Sequence, residues 1–338
     1  MDFNLSKEQE LLRDGLGKFL NTRYDLEKSR TAAKLGAGWQ PDVWRGFADE
    51  LGILGATLPE SVGGMGGGAV ELMVIAEELG RALVIEPFVG TVVVAGGLLQ
   101  RAGGVVAEAV LERIAAGTAV VALADTDAGE PARAARDGDA WVLNGAKVVV
   151  PDTPLATHLL ITAVTEDVAP QRIALFLTEF DPAAPAGVTV HGYRTIDDRR
   201  AADLVLRDLR LPAAALLTDD AAASLEQARD EGAAAVCAEA VGAMRKVLAD
   251  TVEYCKQRQQ FGQPIGGFQV LQHRMVDMYL ELEQAVSAAY LAVLNLDAEP
   301  ATRARAVSAA KATVGRAARF IGQNAVQLHG GMGMTEEL

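Results

Sequence analysis

The sequence predicts an α+β fold in three consecutive parts: a helical N-terminal domain, a small antiparallel β domain in the middle and a C-terminal helical bundle. Three observations lead to this prediction. Apolar residues recur at helical spacing over residues 1–118, short β-rich runs separated by Pro and Gly fill residues 119–222, and proline-poor helical patterns fill residues 223–338. A chain of 338 residues is long enough for two or three domains.

The N-terminal domain, 1–118, begins with a helix-start signal. Ser6 and Gln9 have the Ser-x-x-Gln spacing of a capping box, and Leu16, Phe19 and Leu20 follow on one helical face. A glycine-rich stretch, 63–68, separates this region from a further helical pattern at 70–83. We interpret 63–68 as a turn rather than a phosphate-binding loop, because no Lys-Ser/Thr pair follows it.

The middle domain, 119–222, is predicted from its short β-rich runs. They recur about every ten to fifteen residues, which favours a small antiparallel barrel or sandwich. Asn144-Gly145 stands between two such runs and is a strong hairpin signal, so we expect a hairpin that joins 141–143 to 147–150. We expect residues 148–150 to form a buried strand.

The C-terminal part, 223–338, contains three long helical patterns, at about 225–258, 269–296 and 301–330. Three long helices with short connections are most of a four-helix bundle. Cys237 and Cys255 fall in the first pattern, about 27 Å apart along a helix, which is too far for a disulfide. We therefore expect both to be buried structural thiols.

Composition and charge narrow the function classes. The formal net charge of −14 argues against nucleic acid and against an anionic membrane surface as partners. No apolar run approaches the length of a membrane span, and the N-terminus lacks the pattern of a signal peptide, so we expect a cytoplasmic protein. His273 and His329 have no acidic or cysteine partners at ligand spacing, so we expect no metal site.

Two spaced motifs in the C-terminal part carry the most specific signal. Residues 258–269 read RQQFGQPIGGFQ and resemble the R-x-x-F-G-x-x-I-x-x-F-Q motif of acyl-CoA dehydrogenases. Residues 327–333 read QLHGGMG and resemble that family's Q-x-x-G-G-x-G. The N-terminal stretch around 51–66, the Asn-Gly strand pair and the order of the three domains fit as well. The resemblance to the acyl-CoA dehydrogenase family covers essentially the whole chain.

The motifs contain groups that suit a dinucleotide. Arg258 offers a guanidinium fork to a pyrophosphate, and glycines let the backbone approach a flat ring. Taken alone, however, Arg258 could be a helix C-terminal charge, and Gly330-Gly331 could be a helix cap. The resemblance implies that six residues bind the adenosine-diphosphate end of FAD held mainly by a neighbouring subunit. These cofactor-binding candidates are Arg258, Phe261, Gln269, Gln327, Gly330 and Gly331.

The middle domain departs from the family pattern. Where the family has T-E-P-x-x-G-S-D, which holds the flavin ring and the substrate thioester, residues 123–131 read LADTDAGEP, with Ala124 at the Thr position and Glu130 at the Ser position. Where the family has K-x-W-I-T beside the flavin, residues 147–151 read KVVVP. Pro151 has no N–H to donate. The resemblance therefore implies that this chain's own flavin pocket is degraded.

The catalytic base is not evident from the sequence. Many family members use a glutamate on a loop beyond the Q-x-x-G-G motif, and this chain stops at Leu338, so we expect it to be truncated relative to the family. Other members place a glutamate near the start of the long bundle helix, where Asp230 and Glu231 stand, and Glu231 is the catalytic candidate. Glu336 and Glu337 follow the glycine motif too closely and are expected to be exposed.

An intact half-site beside a degraded pocket is the pattern expected of a heteromer. Residues 238–244, AEAVGAM, and 268–274, FQVLQHR, resemble small subunits of the pimeloyl-CoA dehydrogenase type. Similar paired subunits act on bulky CoA esters such as steroid side chains. The resemblance implies a second acyl-CoA dehydrogenase subunit in an α2β2 assembly, an acyl-CoA substrate of undefined chain, and electron-transfer flavoprotein as the acceptor. Two alternatives remain: a self-sufficient homomeric dehydrogenase, and a scaffold or acyl-CoA-binding subunit without redox function.

Overall fold

A computed structural model describes residues 5–165 and 172–335. In chain order the α-helices are α1 (Lys7–Arg23), α2 (Leu26–Lys34), α3 (Pro41–Asp49), α4 (Ala69–Arg81), α5 (Gly96–Ala102), α6 (Gly104–Ala115), α7 (Ala222–Gln257), α8 (Gln269–Val293) and α9 (Pro300–His329). The strands are β1 (Val121–Ala124), β2 (Arg133–Asp137), β3 (Ala140–Pro151), β4 (His158–Thr165), β5 (Ile173–Glu179), β6 (Val188–Arg194), β7 (Arg200–Pro212), β8 (Leu216–Thr218), β9 (Gln259–Gln260) and β10 (Gln263–Pro264).

The order of these elements confirms the predicted fold class, because helices precede the central sheet and long helices follow it. By its contacts the chain divides into two compact units. One unit comprises Met1–Thr22, Ala69–Val84 and Ala233–Leu338, and the other comprises Arg23–Gly68 and Ile85–Gly232. The domain boundaries at 118 and 222 stay a prediction.

The bundle of the first unit has a core rich in small side chains. Buried alanines recur along α7, α8 and α9, and larger residues such as Met278 and Leu282 fill the space between them. Cys237 and Cys255 are buried free thiols, as the sequence predicts. Small residues let helix axes approach closely, so backbone contacts contribute to the packing. No helix in the described part of the chain is long and apolar enough to cross a membrane.

Helices α4 and α7 are in backbone contact at two glycines. A Cβ on Gly80 would overlap the backbone carbonyl of Glu239, and a Cβ on Gly242 would overlap the backbone carbonyl of Glu77. Each glycine therefore faces the main chain of the other helix. Any larger residue at either position would force the two helices apart.

We expect Gly242→Ala to lower the free energy of unfolding by about 2–3 kcal/mol, because the added methyl group overpacks a backbone contact. The matched control is Gly15→Ala in α1, where an added Cβ meets nothing within 4 Å. That change should raise the free energy of unfolding by about 0.5–1 kcal/mol, since it removes a glycine from a helix interior. Urea unfolding of the full chain, followed by circular dichroism, measures both. A neutral Gly242→Ala would contradict the close contact.

The central sheet is mixed rather than purely antiparallel. Its strand order is β6-β7-β3-β2-β4-β5-β8, and β1 also pairs with β4. Both β1 and β2 run parallel to β4, whereas the remaining pairs are antiparallel. Most strand pairs are therefore antiparallel, as the sequence predicts, whereas the two parallel pairings were not predicted.

Two local predictions in the sheet are wrong. Asn144-Gly145 does not form a hairpin turn, since β3 runs through it and the register shifts there against β7. The turn falls instead at Gly138-Asp139, between paired residues Asp137 and Ala140. Val149 is not buried: it is 56 % exposed with a φ of 50°, beside a second register shift. Bulges rotate a side chain out of the regular alternation.

A buried polar cluster lies in the second unit around Glu86, which is 1 % exposed. Its Oε1 accepts the N–H of Gln40 at 2.9 Å. The hydroxyl of Tyr24 accepts the N–H of Ile85 at 3.0 Å and lies 2.8 Å from the hydroxyl of Ser29. Burial raises the pKa of Glu86 to about 7 and, together with the nearby Glu86 carboxylate, also raises the pKa of Tyr24. Protonated Glu86 thus suits this environment better than the charged form.

The raised pKa of Glu86 predicts a pH dependence of stability. The folded chain holds this proton more tightly than the unfolded chain, whose Glu pKa is 4.5. The stabilisation is fully present below that value and is lost as the pH rises through about 7. Relative to the always-neutral Glu86→Gln, the wild type should therefore lose up to about 3 kcal/mol between about pH 5 and pH 8.

Urea unfolding at several pH values measures the difference between wild type and Glu86→Gln. The control is Glu60→Gln, measured at the same pH values, because it makes the same substitution at an exposed position. A difference between wild type and Glu86→Gln that does not vary with pH would contradict the raised pKa of Glu86.

Candidate functional site

Arg258 follows directly on the end of α7 and is exposed. Its N–H donates to the carbonyl of Tyr254 at 2.8 Å, and its own carbonyl accepts the N–H of Ile265 at 2.8 Å. The backbone of Arg258 is therefore fixed on both sides. Within residues 5–165 and 172–335, no acidic side chain pairs with its guanidinium. A positioned, unpaired guanidinium in solvent is available to an external anion.

Phe261 and Gly262 form the two-residue turn between β9 and β10, where Gln260 pairs with Gln263. Both turn residues have positive φ, 55° for Phe261 and 80° for Gly262. This conformation is strained for a bulky residue, and strain of that kind persists mostly at functional positions. Phe261 is also 92 % exposed, so burial does not explain its presence.

The other predicted cofactor residues are likewise exposed. Gln269 is the first residue of α8, and Gln327 lies in the last turn of α9. Gly330 follows α9 with φ 62° and ψ −136°, a combination that only glycine adopts readily. Gly331 follows it in the same exposed stretch.

Two side-chain contacts bring these residues to one end of the bundle. The rings of Tyr254 in α7 and His329 in α9 stack with centroids 4.3 Å apart. Arg274 of α8 donates to the side-chain oxygen of Asn324 in α9 at 3.0 Å. The C-terminal ends of α7 and α9 and the N-terminal part of α8 therefore meet here. We call this surface, made by the six candidates named above, the bundle-end patch.

Neither Tyr254 nor His329 is among the residues that the sequence predicts to bind the cofactor. A signal was available for Tyr254, because it precedes Arg258 by four residues and so shares its helix face. His329 stands inside the glycine motif. No local pattern, however, indicates that the two rings stack across 75 residues of sequence.

In the middle sheet, Lys147 is fully buried and bound on two sides. Its Nζ lies 2.6 Å from Asp127 Oδ1 and 2.9 Å from Thr162 Oγ1. Asp127 also accepts the N–H of Ala132 at 2.9 Å. Burial lowers the pKa of the Lys147 amine, although the hydrogen bond to Asp127 acts in the opposite direction. The partners of the Lys147 amine are therefore other residues of the protein interior.

Val149, two residues after Lys147 in β3, also has a hydrogen-bond partner within the protein. Val149 donates its N–H to Asp203 Oδ1 at 2.9 Å, and the same oxygen accepts the hydroxyl of Tyr193 at 3.0 Å. Pro151 has no N–H. Asp125 pairs with Arg229 at 2.8 Å. The Lys147 amine and the Val149 N–H, which are donors that this part of the sheet could offer a flat polar ring, are thus paired within the protein.

Glu231, the catalytic candidate, forms a bidentate ion pair with Arg101. The distances are 2.7 Å and 3.1 Å, and the Glu231 side chain is only 16 % exposed. The side chain of Gln227 donates to the same carboxylate at 3.1 Å. Both oxygens of this carboxylate are therefore hydrogen-bonded within the protein, and this pairing argues for a structural role. Glu336 and Glu337, expected to be exposed, lie outside the described residues.

Comparisons with known proteins agree with the motifs. Two family models match: acyl-CoA dehydrogenase, N-terminal domain, over residues 6–118, and acyl-CoA dehydrogenase, C-terminal domain, over residues 210–338. Acyl-CoA dehydrogenase IpdE2 of Mycobacterium tuberculosis is 31 % identical over 334 residues, which cover 98 % of this chain and 88 % of that protein.

Two solved structures are similar over nearly the whole chain. The ChsE4-ChsE5 complex from Mycobacterium tuberculosis matches with TM-score 0.86 and 27 % identity, over 99 % of this chain and 90 % of that chain. A glutaryl-CoA dehydrogenase from Mycobacterium smegmatis in complex with FADH2 matches with TM-score 0.85 and 26 % identity, over 98 % of this chain and 87 % of that chain.

The ion pair of Glu231 predicts a stability effect. Glu231→Gln leaves Arg101 in a largely buried position without its counter-charge, so we expect the free energy of unfolding to fall by about 1–3 kcal/mol. The control is Glu226→Gln on the same helix, where the side chain is exposed and the change should stay within about 0.5 kcal/mol. Urea unfolding measures both. Equal, small effects of the two variants would show that the ion pair contributes little to stability. Glu231 would then remain a candidate for the catalytic base.

Proposed function

Because the chain belongs to the acyl-CoA dehydrogenase family, we propose that it is one subunit of a heteromeric, FAD-dependent acyl-CoA dehydrogenase, most simply an α2β2 assembly in the cytoplasm. The reaction is the α,β-dehydrogenation of a CoA thioester. FAD supplies the redox chemistry, since it accepts the hydride from the β-carbon. This chain contributes binding groups to FAD that is held mainly by the partner subunit.

The observation that carries the proposal is the outward-facing bundle-end patch. Arg258 is exposed without an acidic partner in the described part of the chain, and the aromatic ring of Phe261 projects into solvent. A guanidinium suits a pyrophosphate, and an exposed ring beside glycine backbone suits an adenine. These groups fit the adenosine-diphosphate half of FAD. Because they face outward, the proposal assigns the rest of the site to another subunit.

The middle sheet fits the other half of FAD less well. The ring system of a flavin carries several acceptor atoms and needs free donors beside it. In this chain the Lys147 amine is bound to Asp127 and Thr162, and the Val149 N–H is bound to Asp203. This supports placing the flavin ring in the partner's middle domain rather than in this one.

The proposal also makes the partner subunit the source of the catalytic base. Removing the α-proton of a thioester needs a carboxylate whose pKa is raised by desolvation. Arg101 and Gln227 hold both oxygens of Glu231 within this chain, so we assign the base to the partner. The ChsE4-ChsE5 complex is a two-component relative by its name, which supports a paired subunit. We propose electron-transfer flavoprotein as the electron acceptor and leave the acyl chain undefined.

The test compares two variants in the complex obtained by co-expressing this chain with a neighbouring acyl-CoA dehydrogenase subunit. Arg258→Ala removes a charged hydrogen-bond donor from the pyrophosphate, so FAD affinity should fall about ten- to two-hundred-fold. Val149→Ala should leave FAD affinity nearly unchanged, because the proposal leaves this chain's own flavin pocket empty. Flavin-fluorescence titration measures both affinities.

Two results would overturn the proposal. The first is a yellow, fully active complex that this chain forms alone with one FAD per subunit. The second is a loss of FAD affinity in Val149→Ala as large as that in Arg258→Ala, because it would place flavin in this chain's own middle domain.

A further inference from the structure

Tyr254 and His329 link the last turn of α7 to the last turn of α9. Their ring planes are inclined by 27°, with the centroids 4.3 Å apart. The Tyr254 hydroxyl also donates to the backbone carbonyl of His329 at 3.4 Å. The two helix ends are thus joined by a ring stack and a long hydrogen bond.

On the α7 side, a backbone hydrogen bond connects Tyr254 to Arg258. The carbonyl of Tyr254 accepts the N–H of Arg258 at 2.8 Å, and residues four apart share one helix face. The carbonyl of Arg258 accepts the N–H of Ile265, which closes the hairpin that carries Phe261. A shift of Tyr254 would therefore move both the guanidinium and the exposed ring.

On the α9 side, the link is continuous with the glycine turn. His329 Nδ1 lies 2.9 Å from the carbonyl of Ala325, and because that carbonyl can only accept, Nδ1 carries the hydrogen. This bond fixes the plane of the imidazole, which is 9 % exposed. His329 directly precedes Gly330, whose positive φ redirects the chain. The orientation of the imidazole and the start of the glycine turn are therefore set together.

We propose that Tyr254 and His329 are positioning residues for the bundle-end patch. Their stack sets the separation between the Arg258 guanidinium, just after α7, and the Gly330-Gly331 backbone, just after α9. The inference rests on the proposed function, because it assigns to this pair the spacing of the two groups that receive the adenosine-diphosphate half of FAD.

The physical reason is preorganisation. The last turns of helices fray, and groups on two fraying ends must be ordered when a ligand binds both. Two aromatic rings have few rotamers, so their stack holds the ends together at low conformational cost. Without the stack, FAD would have to order both ends itself. Losing the stack would therefore lower FAD affinity more than it lowers the stability of the bundle, whose core lies along the helices.

The experiment measures FAD affinity and thermal stability of the co-expressed complex for three variants. Tyr254→Leu removes the stack, and we expect FAD affinity to fall about tenfold. Tyr254→Phe keeps the ring and loses only the long hydrogen bond, so it should stay within about threefold of wild type, since the stack survives. His329→Phe keeps a ring but loses the Nδ1 hydrogen bond that fixes the ring plane, so we expect its FAD affinity to lie between those of Tyr254→Phe and Tyr254→Leu.

Two comparisons separate positioning from general packing. Tyr290→Leu, in α8, removes another half-buried tyrosine of the bundle and should lower stability without changing FAD affinity. If Tyr254 acts through Arg258, Tyr254→Leu should weaken FAD much less in an Arg258→Ala background than in the wild type, which is the non-additivity of coupled residues.

The outcomes distinguish this inference from the proposed function. If Arg258→Ala weakens FAD but Tyr254→Leu does not, or if Tyr254→Phe is as damaging as Tyr254→Leu, the positioning role is wrong and the proposed function stands. If neither Arg258→Ala nor Tyr254→Leu changes FAD affinity, the bundle-end patch does not bind FAD, and both fail.

Discussion

The backbone contact between α4 and α7 is the constraint on which much of the bundle depends. At Gly80 and Gly242 no side chain separates the two helices, so main-chain atoms set their distance there. Main-chain atoms cannot adopt another rotamer, which makes this the least adjustable contact in the packing. Helix α7 continues from it to Tyr254 and Arg258, and small core residues keep α8 and α9 close by.

Elements with a local cause were predictable from the sequence. The long helices follow from apolar spacing, and their observed bounds differ from the predicted ones by a few residues. The Asn144-Gly145 hairpin failed because Gly145 serves another purpose: a Cβ there would run into Ala132 of the neighbouring segment. A glycine inside a strand often marks such a close approach. The real turn has its own signal, Gly138-Asp139, in which glycine takes the positive φ of the first turn position.

Features that join distant parts of the chain were not predictable. Lys147 stands in a run of valines, and nothing nearby in sequence indicates that Thr162 and Asp127 bind its amine. Arg101 and Glu231 are 130 residues apart, so the ion pair that occupies the catalytic candidate gives no local pattern. The cofactor candidates could be named only because they cluster in two motifs. Their meeting at one end of the bundle depends on the three-dimensional packing.

The strained turn at Phe261 has a consequence for assembly. Because Phe261 and Gly262 already hold left-handed backbone conformations in this chain alone, the free energy of bending the hairpin is spent during folding. Under the proposed function, a partner surface meets a turn that is already bent, so docking does not have to bend it. The same strain restricts sequence change, since β-branched residues tolerate positive φ poorly. The conformation of this dipeptide thus limits which residues the tip of the hairpin can accept.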